Sequence, residues 1–329
     1  MTTASTQSPS IENWELPQNP IVFARHETFH PRFGWLKKGF DAVVQEPEIF
    51  LREDANVVLG VGKNMVQSIR YWCSAFKVLS DPSRRSESQN ETEDKRSFQP
   101  TVLGEKLLGK QGWDPFLEDP ASLWLLHWNL LQPPCYATAW YFTFNHFYQP
   151  EFSSEQLLAE LKAYRNSHAT HIADSSLEKD KSCILRMYTE QASKKEFTEE
   201  TIDCPFTELG VIYSVGKSDR YVFRVGQKAN LPAEIVVAAC LYFADLTGKG
   251  QRTIALNRLL IEPNSPGMVF KLSQEALHHA IDRVAQWSDE IGISASAGLV
   301  QLSFDRDPSE LYWDVLQQYY TVRREKSIL

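Results

Sequence analysis

The segment from His26 to His30 carries side chains that could hold a metal ion or move a proton. Its sequence matches H-E-x-x-H, in which two histidines one helical turn apart bind zinc and the glutamate acts as a base. Pro31 follows directly and disfavours a helix through His30, so the two imidazoles lose their common face. We therefore expect no zinc protease. We retain His26, Glu27 and His30 as candidate bases or metal ligands, the alternative being a capping or phosphate-contacting role.

A second segment, Gly60-Val61-Gly62-Lys63-Asn64, is superficially similar to a phosphate loop. The first glycine of G-x-x-x-x-G-K-[ST] is absent and Asn64 replaces the magnesium-binding hydroxyl, which excludes a nucleotide-binding P-loop. A helix-turn-helix is the better interpretation, with one helix over 51–57, a glycine-containing turn and a second helix over 64–76.

The second of these helices has two chemically different faces. Residues at helical spacing form an apolar stripe: Val61, Met65, Ile69, Trp72 and Phe76. The opposite face is predicted to carry polar groups: Lys63, Gln67, Arg70, Ser74 and Lys77. Such side chains contact phosphates or base edges in a major groove, and they also occur on the solvated face of an ordinary core helix. Spacing alone leaves both interpretations open.

Charge is unevenly distributed along the chain. The net charge is −8, which argues against a protein coated in basic residues for nucleic acid. However, residues 25–38 contain four cations and one acid, and residues 60–77 contain three cations and no acid. We predict one basic face on an acidic body. Its candidate DNA-binding residues are Arg25, Arg32, Lys37, Lys38, Lys63, Asn64, Gln67, Arg70 and Lys77.

Other classes of site have no support in the sequence. There is no Ser-His-Asp signature, no glycine-rich dinucleotide fingerprint and no nuclease carboxylate motif, so we expect neither a nucleotide nor an organic cofactor. The five cysteines are odd in number and never form C-x-x-C, which favours a reduced cytoplasmic chain. No apolar run is long enough for a membrane span, so no membrane partner is expected.

Helices must position most of these groups, and the pattern predicts a predominantly α-helical α+β fold built from helix-turn-helix and winged-helix-like modules with short β-hairpins. With 329 residues, about two domains are expected. We predict a flexible tail over 1–20, an N-terminal helix-turn-helix-type DNA-binding domain over 21–148 with a flexible insertion at 80–97, and a winged-helix-like α+β domain over 149–329.

Individual elements follow from periodicity and capping signals. Helices are predicted over 35–44, 122–131, 136–147, 154–166, 176–190, 233–246, 255–260 and 274–288. Capping boxes are predicted at Ser153 with Gln156 and at Ser175 with Glu178. Strands are predicted over 209–215, 221–225, 268–272 and 299–304.

Four segments together resemble the DUF4007 family: RHETFHPRFGWLKK at 25–38, LGVGKNMV at 59–66, SIRYW at 68–72 and SPGMVFKL at 265–272. Members of this family are similar to the nicking component of bacterial DNA phosphorothioation defence systems. The resemblance implies a protein that binds double-stranded DNA and opens one strand so that sulfur can replace a phosphate oxygen. It also implies three partners: a cysteine desulfurase, a phosphosulfate-reductase-like adenylating enzyme and an ATPase.

Three hypotheses remain open on this sequence. The first is a DNA-nicking endonuclease, which would need Mg²⁺ or Mn²⁺ to stabilise the attacking and leaving oxygens. The second is a non-catalytic DNA-recognition or scaffold subunit that recruits the sulfur-transfer enzymes. The third is a protein-interaction subunit that does not bind free DNA. The sequence does not decide between a monomer and a homodimer, and the resemblance transfers no catalytic residue position by position.

Overall fold

Helices form most of this protein. The computed structural model describes residues 19–82, 97–189, 204–216, 218–248, 250–296 and 298–328. The α-helices within these ranges are α1 Trp35–Gln45, α2 Ala55–Leu59, α3 Lys63–Ala75, α4 Val102–Leu108, α5 Pro120–Leu131, α6 Thr138–Asn145, α7 Ser154–His168, α8 Asp174–Tyr188, α9 Ala233–Thr247, α10 Leu256–Ile261, α11 Pro266–Phe270, α12 Gln274–Ala285 and α13 Pro308–Ile328. Two short 3₁₀ helices, Ile49–Leu51 and Pro205–Leu209, connect them.

Small antiparallel sheets accompany the helices. Their strands are β1 Leu79–Ser80, β2 Gln99–Pro100, β3 Glu151–Phe152, β4 Ile212–Ser214, β5 Tyr221–Phe223, β6 Thr253–Ala255, β7 Ile291–Ser296 and β8 Leu299–Phe304. β1 pairs with β2, β5 lies between β3 and β4, and β8 lies between β6 and β7. In the longest pair, Ile291 lies opposite Phe304 and Ser296 opposite Leu299. The mainly helical α+β class is therefore confirmed.

Most predicted helices are confirmed to within a few residues, including α1, α3, α5, α7, α9 and α12. The capping box at the start of α7 is present in full, because the Gln156 N–H donates to Ser153 Oγ and the Ser153 N–H donates to Gln156 Oε1. The predicted hairpin is confirmed as β4 and β5, and the last predicted strand as β8.

The predicted strand over 268–272 is wrong, because α11 occupies this segment. Ser265 caps the helix by accepting from the Met268 N–H, and Pro266 stands in the first turn, where a missing N–H costs nothing. Gly267 packs so closely on α10 that a Cβ would lie 2.2 Å from the Leu260 carbonyl oxygen. An apolar run this short is compatible with both the two-residue period of a strand and the 3.6-residue period of a helix, so the sequence pattern could not distinguish them.

Two other local predictions are also wrong. The helix expected over 51–57 is replaced by the 3₁₀ helix Ile49–Leu51 and by α2, and the break between them is held by Arg52, which bonds to Asp54 and Glu46. The capping box expected at Ser175 is absent, since α8 begins at Asp174 and its N-cap, Ala173, makes no side-chain bond.

One buried hydrophobic cluster runs from Phe23 to Tyr320. Its middle is α5, whose residues from Ala121 to Leu131 are all buried, as expected for a helix that is apolar on every side. The cluster continues across the predicted boundary between 148 and 149, although the two-domain division itself stays a prediction. Residues 1–18 of the predicted tail and 83–96 of the predicted insertion lie outside the described residues. No described helix is long and apolar enough to cross a membrane.

Two lysine side chains are buried where β5 and α11 meet. The Lys271 amine donates to the Phe144 carbonyl oxygen (2.7 Å) and lies 4.6 Å from the centroid of the Phe223 ring. The Lys228 amine donates to the carbonyl oxygens of Gly226 and Lys271, at 2.9 and 3.1 Å. Burial, together with the charge of Lys228, lowers the pKa of Lys271 to about 7.

This lowered pKa predicts a pH dependence of stability. The unfolded chain holds the Lys271 proton up to its ordinary pKa of 10.5, so unfolding takes up a proton at intermediate pH and stability rises as pH rises above 7. Between pH 7 and 8 the free energy of unfolding should rise by roughly 1 kcal/mol more in the wild type than in Lys271→Met. Urea denaturation of both proteins across that range measures it. If the free energy of unfolding changed equally with pH in the two proteins, the lowered pKa of Lys271 would be contradicted.

Candidate nucleic-acid interface

A pocket of about 360 Å³ opens where the N-terminal segment meets α3. Its lining residues are Val22, Arg25, Glu27, Gln67, Arg70, Tyr71 and Asp81. Four of them, at positions 25, 27, 67 and 70, are site residues predicted from two separate segments of the sequence. The fold thus places two guanidinium groups and two carboxylates around one opening.

His26 does not reach this pocket. Its imidazole is fully buried, and Nε2 donates to Asp180 Oδ1 (2.7 Å) on α8. The ring is packed among aromatic side chains, 5.6 Å from Trp140 and 6.1 Å from Trp72 between centroids. Burial raises the pKa of Asp180, and the hydrogen bond from His26 opposes that rise. The predicted catalytic role of His26 is therefore corrected to an anchoring role, because its ring cannot touch a substrate.

The anchor at His26 determines what its neighbours do. With His26 facing inward, Arg25 and Glu27 on either side are exposed and face the pocket. The backbone here adopts an uncommon conformation, with φ of 54° at Ala24, 50° at Glu27 and 67° at Thr28, each in the left-handed region that non-glycine residues seldom occupy. Such residues cost about 1–3 kcal/mol each and persist where surrounding contacts determine them.

Those contacts come from three different elements. The Ala24 N–H donates to Asp180 Oδ1 (2.9 Å), the Val22 N–H donates to Thr138 Oγ1 (2.8 Å), and Trp72 Nε1 donates to the Phe29 carbonyl oxygen (3.0 Å). The segment over 22–30 is therefore held by α8, α6 and α3 at once.

α3 supplies the other wall of the pocket. It follows α2 after a turn in which Gly60 adopts φ 64° and its N–H caps α2 by donating to backbone carbonyls. Three exposed residues and the half-buried Arg70 share one face at three- and four-residue spacing, which we call the polar stripe of α3: Lys63, Asn64, Gln67 and Arg70. α2, the turn at Gly60 and α3 follow one another in the chain, and their interpretation as a DNA-binding helix-turn-helix stays a prediction.

Arg70 is held in place at the end of this stripe. Its Nη2 lies 3.5 Å from Asp81 Oδ2, and its guanidinium lies 5.1 Å from the centroid of the Phe98 ring. The Asp81 side chain is only 4% exposed, whereas that of Arg70 is 28% exposed. A partly exposed guanidinium with a fixed plane suits bidentate contact with a phosphate.

The prediction for the far end of the polar face is wrong. Ser74 is buried, and its hydroxyl bonds back to the Arg70 carbonyl oxygen. The Lys77 amine turns inward and donates to the carbonyl oxygens of Asn129 and Gln132 at the end of α5. Burial lowers the pKa of Lys77 to about 8. α3 ends at Ala75, so the helical spacing that placed position 77 on the polar face no longer applies there.

The other predicted contacts lie outside the pocket. The guanidinium of Arg32 stacks between Phe29 and Trp35, 5.3 Å from each centroid. Lys37 pairs with Asp41, and Lys38 donates to the Leu59 carbonyl oxygen. His30 is half-buried, and the pocket lining does not include it.

Comparison with known proteins identifies the family to which this chain belongs. The sequence matches the family described as "Protein of unknown function (DUF4007)" over residues 23–320. The chain belongs to the DUF4007 family. Two solved structures are similar: a crystal structure of magnesium-ion-bound SspB, with TM-score 0.83, and a crystal structure of SspB, with TM-score 0.81. Each is 36% identical to this DUF4007 protein and covers 92% of it, while it covers 89% of each SspB chain. None of the curated proteins matches.

One of the SspB structures holds a magnesium ion. Among the described residues of this DUF4007 protein, no group of three or more His, Cys, Asp or Glu side chains is arranged to hold a metal ion. The pocket contributes two carboxylates, Glu27 and Asp81. Mg²⁺ is often bound by one or two carboxylates together with water and substrate phosphate oxygens. This donor set fits Mg²⁺ in that mode and does not fit a closed tetrahedral zinc site.

Sequence reasoning missed Asp81 and Asp180. Asp81 stands in a polar run that suggested only a loop, and Asp180 lies 154 residues away from the histidine that it binds. One signal was available for Asp180: it falls on the apolar side of α8, near the buried residues Leu177, Cys183 and Ile184. A carboxylate on a buried helix face is rarely unpaired.

Proposed function

We propose that this DUF4007 protein is the DNA-binding, strand-nicking subunit of a DNA phosphorothioation system. Its similarity to SspB and the resemblance of its motifs to that system support the assignment. The observation that carries the proposal is the pocket in which Arg25 and Glu27 of one motif meet Gln67 and Arg70 of another. In this role the protein acts on double-stranded DNA beside a cysteine desulfurase, a phosphosulfate-reductase-like adenylating enzyme and an ATPase.

DNA binding is assigned to the polar stripe of α3 and to Arg25. Lys63 and Asn64 stand exposed in the first turn of the helix, where backbone N–H groups also favour phosphate. Contacts with phosphates set the position of a protein on the duplex, whereas contacts with base edges specify the sequence. Gln67, exposed on the same face, is the side chain suited to a base edge.

Strand cleavage is assigned to the pocket. Arg25 and Arg70 would hold the non-bridging oxygens of one phosphate, and the Glu27 carboxylate would accept a proton from the attacking water. As the water oxygen bonds to phosphorus, the bond from phosphorus to one sugar oxygen would break, and the leaving oxygen would take a proton from solvent. Asp81 would fix the orientation of the Arg70 guanidinium through their ion pair and would add a negative charge to the site. A Mg²⁺ or Mn²⁺ ion bound with Glu27 and Asp81 would stabilise the attacking and leaving oxygens. The whole assignment needs no contribution from His26.

A supercoiled plasmid assay tests the nicking function. The full chain with Mg²⁺ or Mn²⁺ at low salt should convert supercoiled plasmid to open circles, and EDTA should stop the reaction. A mobility-shift measurement on the same preparation reports binding separately. Plasmid that stays supercoiled with either metal, although it is bound, would contradict nicking while leaving DNA binding intact.

Lys63→Ala is expected to weaken DNA binding without changing sequence preference. Loss of one phosphate contact should lower the affinity by about 1 kcal/mol and reduce the slope of log affinity against log salt by about 1. Fluorescence anisotropy on a duplex across several salt concentrations measures both quantities. Lys110→Ala, which removes an exposed lysine outside the interface, is the matched control. Equal slopes for the wild type and Lys63→Ala would contradict a phosphate contact by Lys63.

The second candidate function is DNA recognition without catalysis. The lack of any three-ligand metal group among the described residues favours it. In that case the protein would bind duplex DNA through α3 and recruit the sulfur-transfer enzymes. Its signature is a salt-dependent mobility shift that Lys63→Ala weakens, with no open circles under any metal condition.

A further inference from the structure

A second, larger groove of about 670 Å³ lies between α9, α12 and α13. Its walls are the loop before α9 with the first turn of that helix, one face of α12, the later half of α13 and the start of α5 at Asp119. The volume lies within the range of sites that bind small organic ligands. None of the DNA-interface residues lines it.

Two buried lysine amines lie at the base of this groove, and among the described residues no carboxylate pairs with either of them. Lys228, which is 5% exposed, contributes to the lining, and Lys271 lies next to it. In the described part of the chain, both amines donate to carbonyl oxygens, that of Lys271 also lies over aromatic rings, and neither forms an ion pair with a carboxylate. Burial, together with the charge of Arg224, lowers the pKa of Lys228 to about 8, and burial, together with the charge of Lys228, lowers the pKa of Lys271 to about 7. An anion in the groove would supply the missing counter-charge.

The rim adds two arginines from facing helices. Arg283 on α12 is exposed and has no ion pair within the described ranges, and His279 lies one turn before it. Arg323 on α13 bonds through Nε to Asp119 Oδ2 (3.1 Å), and Asp119 also accepts from the Tyr319 hydroxyl. Guanidinium groups in such positions bind phosphate oxygens in pairs.

The rest of the lining is suited to the uncharged part of a ligand that combines an aromatic ring with hydroxyl or amino groups. Small and apolar side chains form the floor: Leu231, Ala233, Val236, Leu272, Ala276 and Ala280. Trp287 stands at the edge with 44% of its surface exposed, where an aromatic ring could stack on it. Glu234 is also in the lining and can accept from hydroxyl or amino groups.

We infer that this groove binds a nucleoside phosphate, with the phosphate between Arg283, Arg323 and Lys228 and the nucleoside over the apolar floor against Trp287. The lining combines cationic, apolar and acidic side chains, which favours a nucleoside phosphate over inorganic phosphate. Inorganic phosphate would contact the cationic side chains only and would leave the apolar floor and Glu234 without a ligand group to contact. The sequence contains no local phosphate-binding motif for this site, because the lining residues come from four separate parts of the chain.

Isothermal titration calorimetry on the full chain tests this inference, with ATP, AMP and inorganic phosphate as the probes. ATP or AMP should bind saturably, and Arg283→Ala should weaken that binding at least tenfold. Arg283 is exposed, so its removal leaves the fold intact, which a thermal melt verifies. Arg252→Ala, an exposed arginine outside the groove, is the matched control and should bind as the wild type does.

Three results would overturn the inference. The first is no saturable binding of either nucleotide at millimolar concentration. The second is binding that Arg283→Ala leaves unchanged. The third is displacement of the nucleotide by a DNA duplex that itself binds through Arg283, which would assign the groove to DNA backbone. Because none of these measurements involves strand cleavage, failure here is distinct from failure of the nicking function.

Discussion

Glu27→Gln should reduce the rate of plasmid nicking by about 10²–10⁴-fold while changing DNA affinity little. Glutamine keeps the size of the side chain and its hydrogen-bonding oxygen, and it removes the charge that a proton acceptor or metal ligand requires. Glu27 is exposed in the pocket, and its substitution leaves no buried group without a partner. The rate of open-circle formation at saturating protein, measured beside anisotropy on a duplex, separates the catalytic effect from the binding effect.

Glu48→Gln is the matched control for this experiment. Glu48 is an exposed acid outside the pocket, so its replacement should leave nicking and affinity at wild-type values. If Glu27→Gln nicks plasmid at the wild-type rate, the pocket is not the catalytic site, and only its contribution to DNA binding would remain.

Asp180→Ala should lower the free energy of unfolding by about 3 kcal/mol. The carboxylate accepts from both His26 Nε2 and the Ala24 N–H, and the side chain of each residue in the pair is almost fully enclosed. Its removal leaves two donors without a partner in the interior. Urea denaturation at neutral pH measures the loss. The same variant should also reduce nicking, because the segment over 22–30 loses one of its supports.

A conservative variant and a control separate stability from positioning. Asp180→Asn keeps an oxygen that can accept from Ala24, so it should be less destabilised than Asp180→Ala. Glu178→Ala, which removes an exposed acid from the same helix, should behave as the wild type. If Asp180 acts through Glu27, then Asp180→Asn should not slow nicking further in a Glu27→Gln background. Additive effects would contradict the positioning role.

Local signals predicted the elements, and longer-range contacts decided the site. Ser153 with Gln156 marked the start of α7 because both halves of a capping box lie within four residues. The run over 268–272 was misassigned because its apolar pattern is too short to show a period. Periodicity correctly placed Gln67 and Arg70 on one exposed face of α3, and it failed at Lys77 because the helix ends before that position.

The candidate site could be predicted only in part, for a similar reason. Pro31 correctly indicated that His26 and His30 do not share a helical face. Nothing near His26 in the sequence shows that it is buried, since the partner that holds it comes from α8. The groove beside Lys228 is even harder to predict from the sequence, because several separate segments form its walls and no single segment carries a motif.

The bond between His26 and Asp180 also bears on the order in which the protein is made. Synthesis proceeds from the N-terminus, so the ribosome releases the basic residues of α3 long before it releases α8. Until Asp180 has emerged, Ala24 and His26 lack their acceptor, and Glu27 has no fixed position. Under the proposed function, a nascent chain would therefore present the DNA-binding residues assigned to α3 before the pocket assigned to strand cleavage is in place. For the same reason, a fragment ending at residue 148 would keep α3 and lose the support of the pocket.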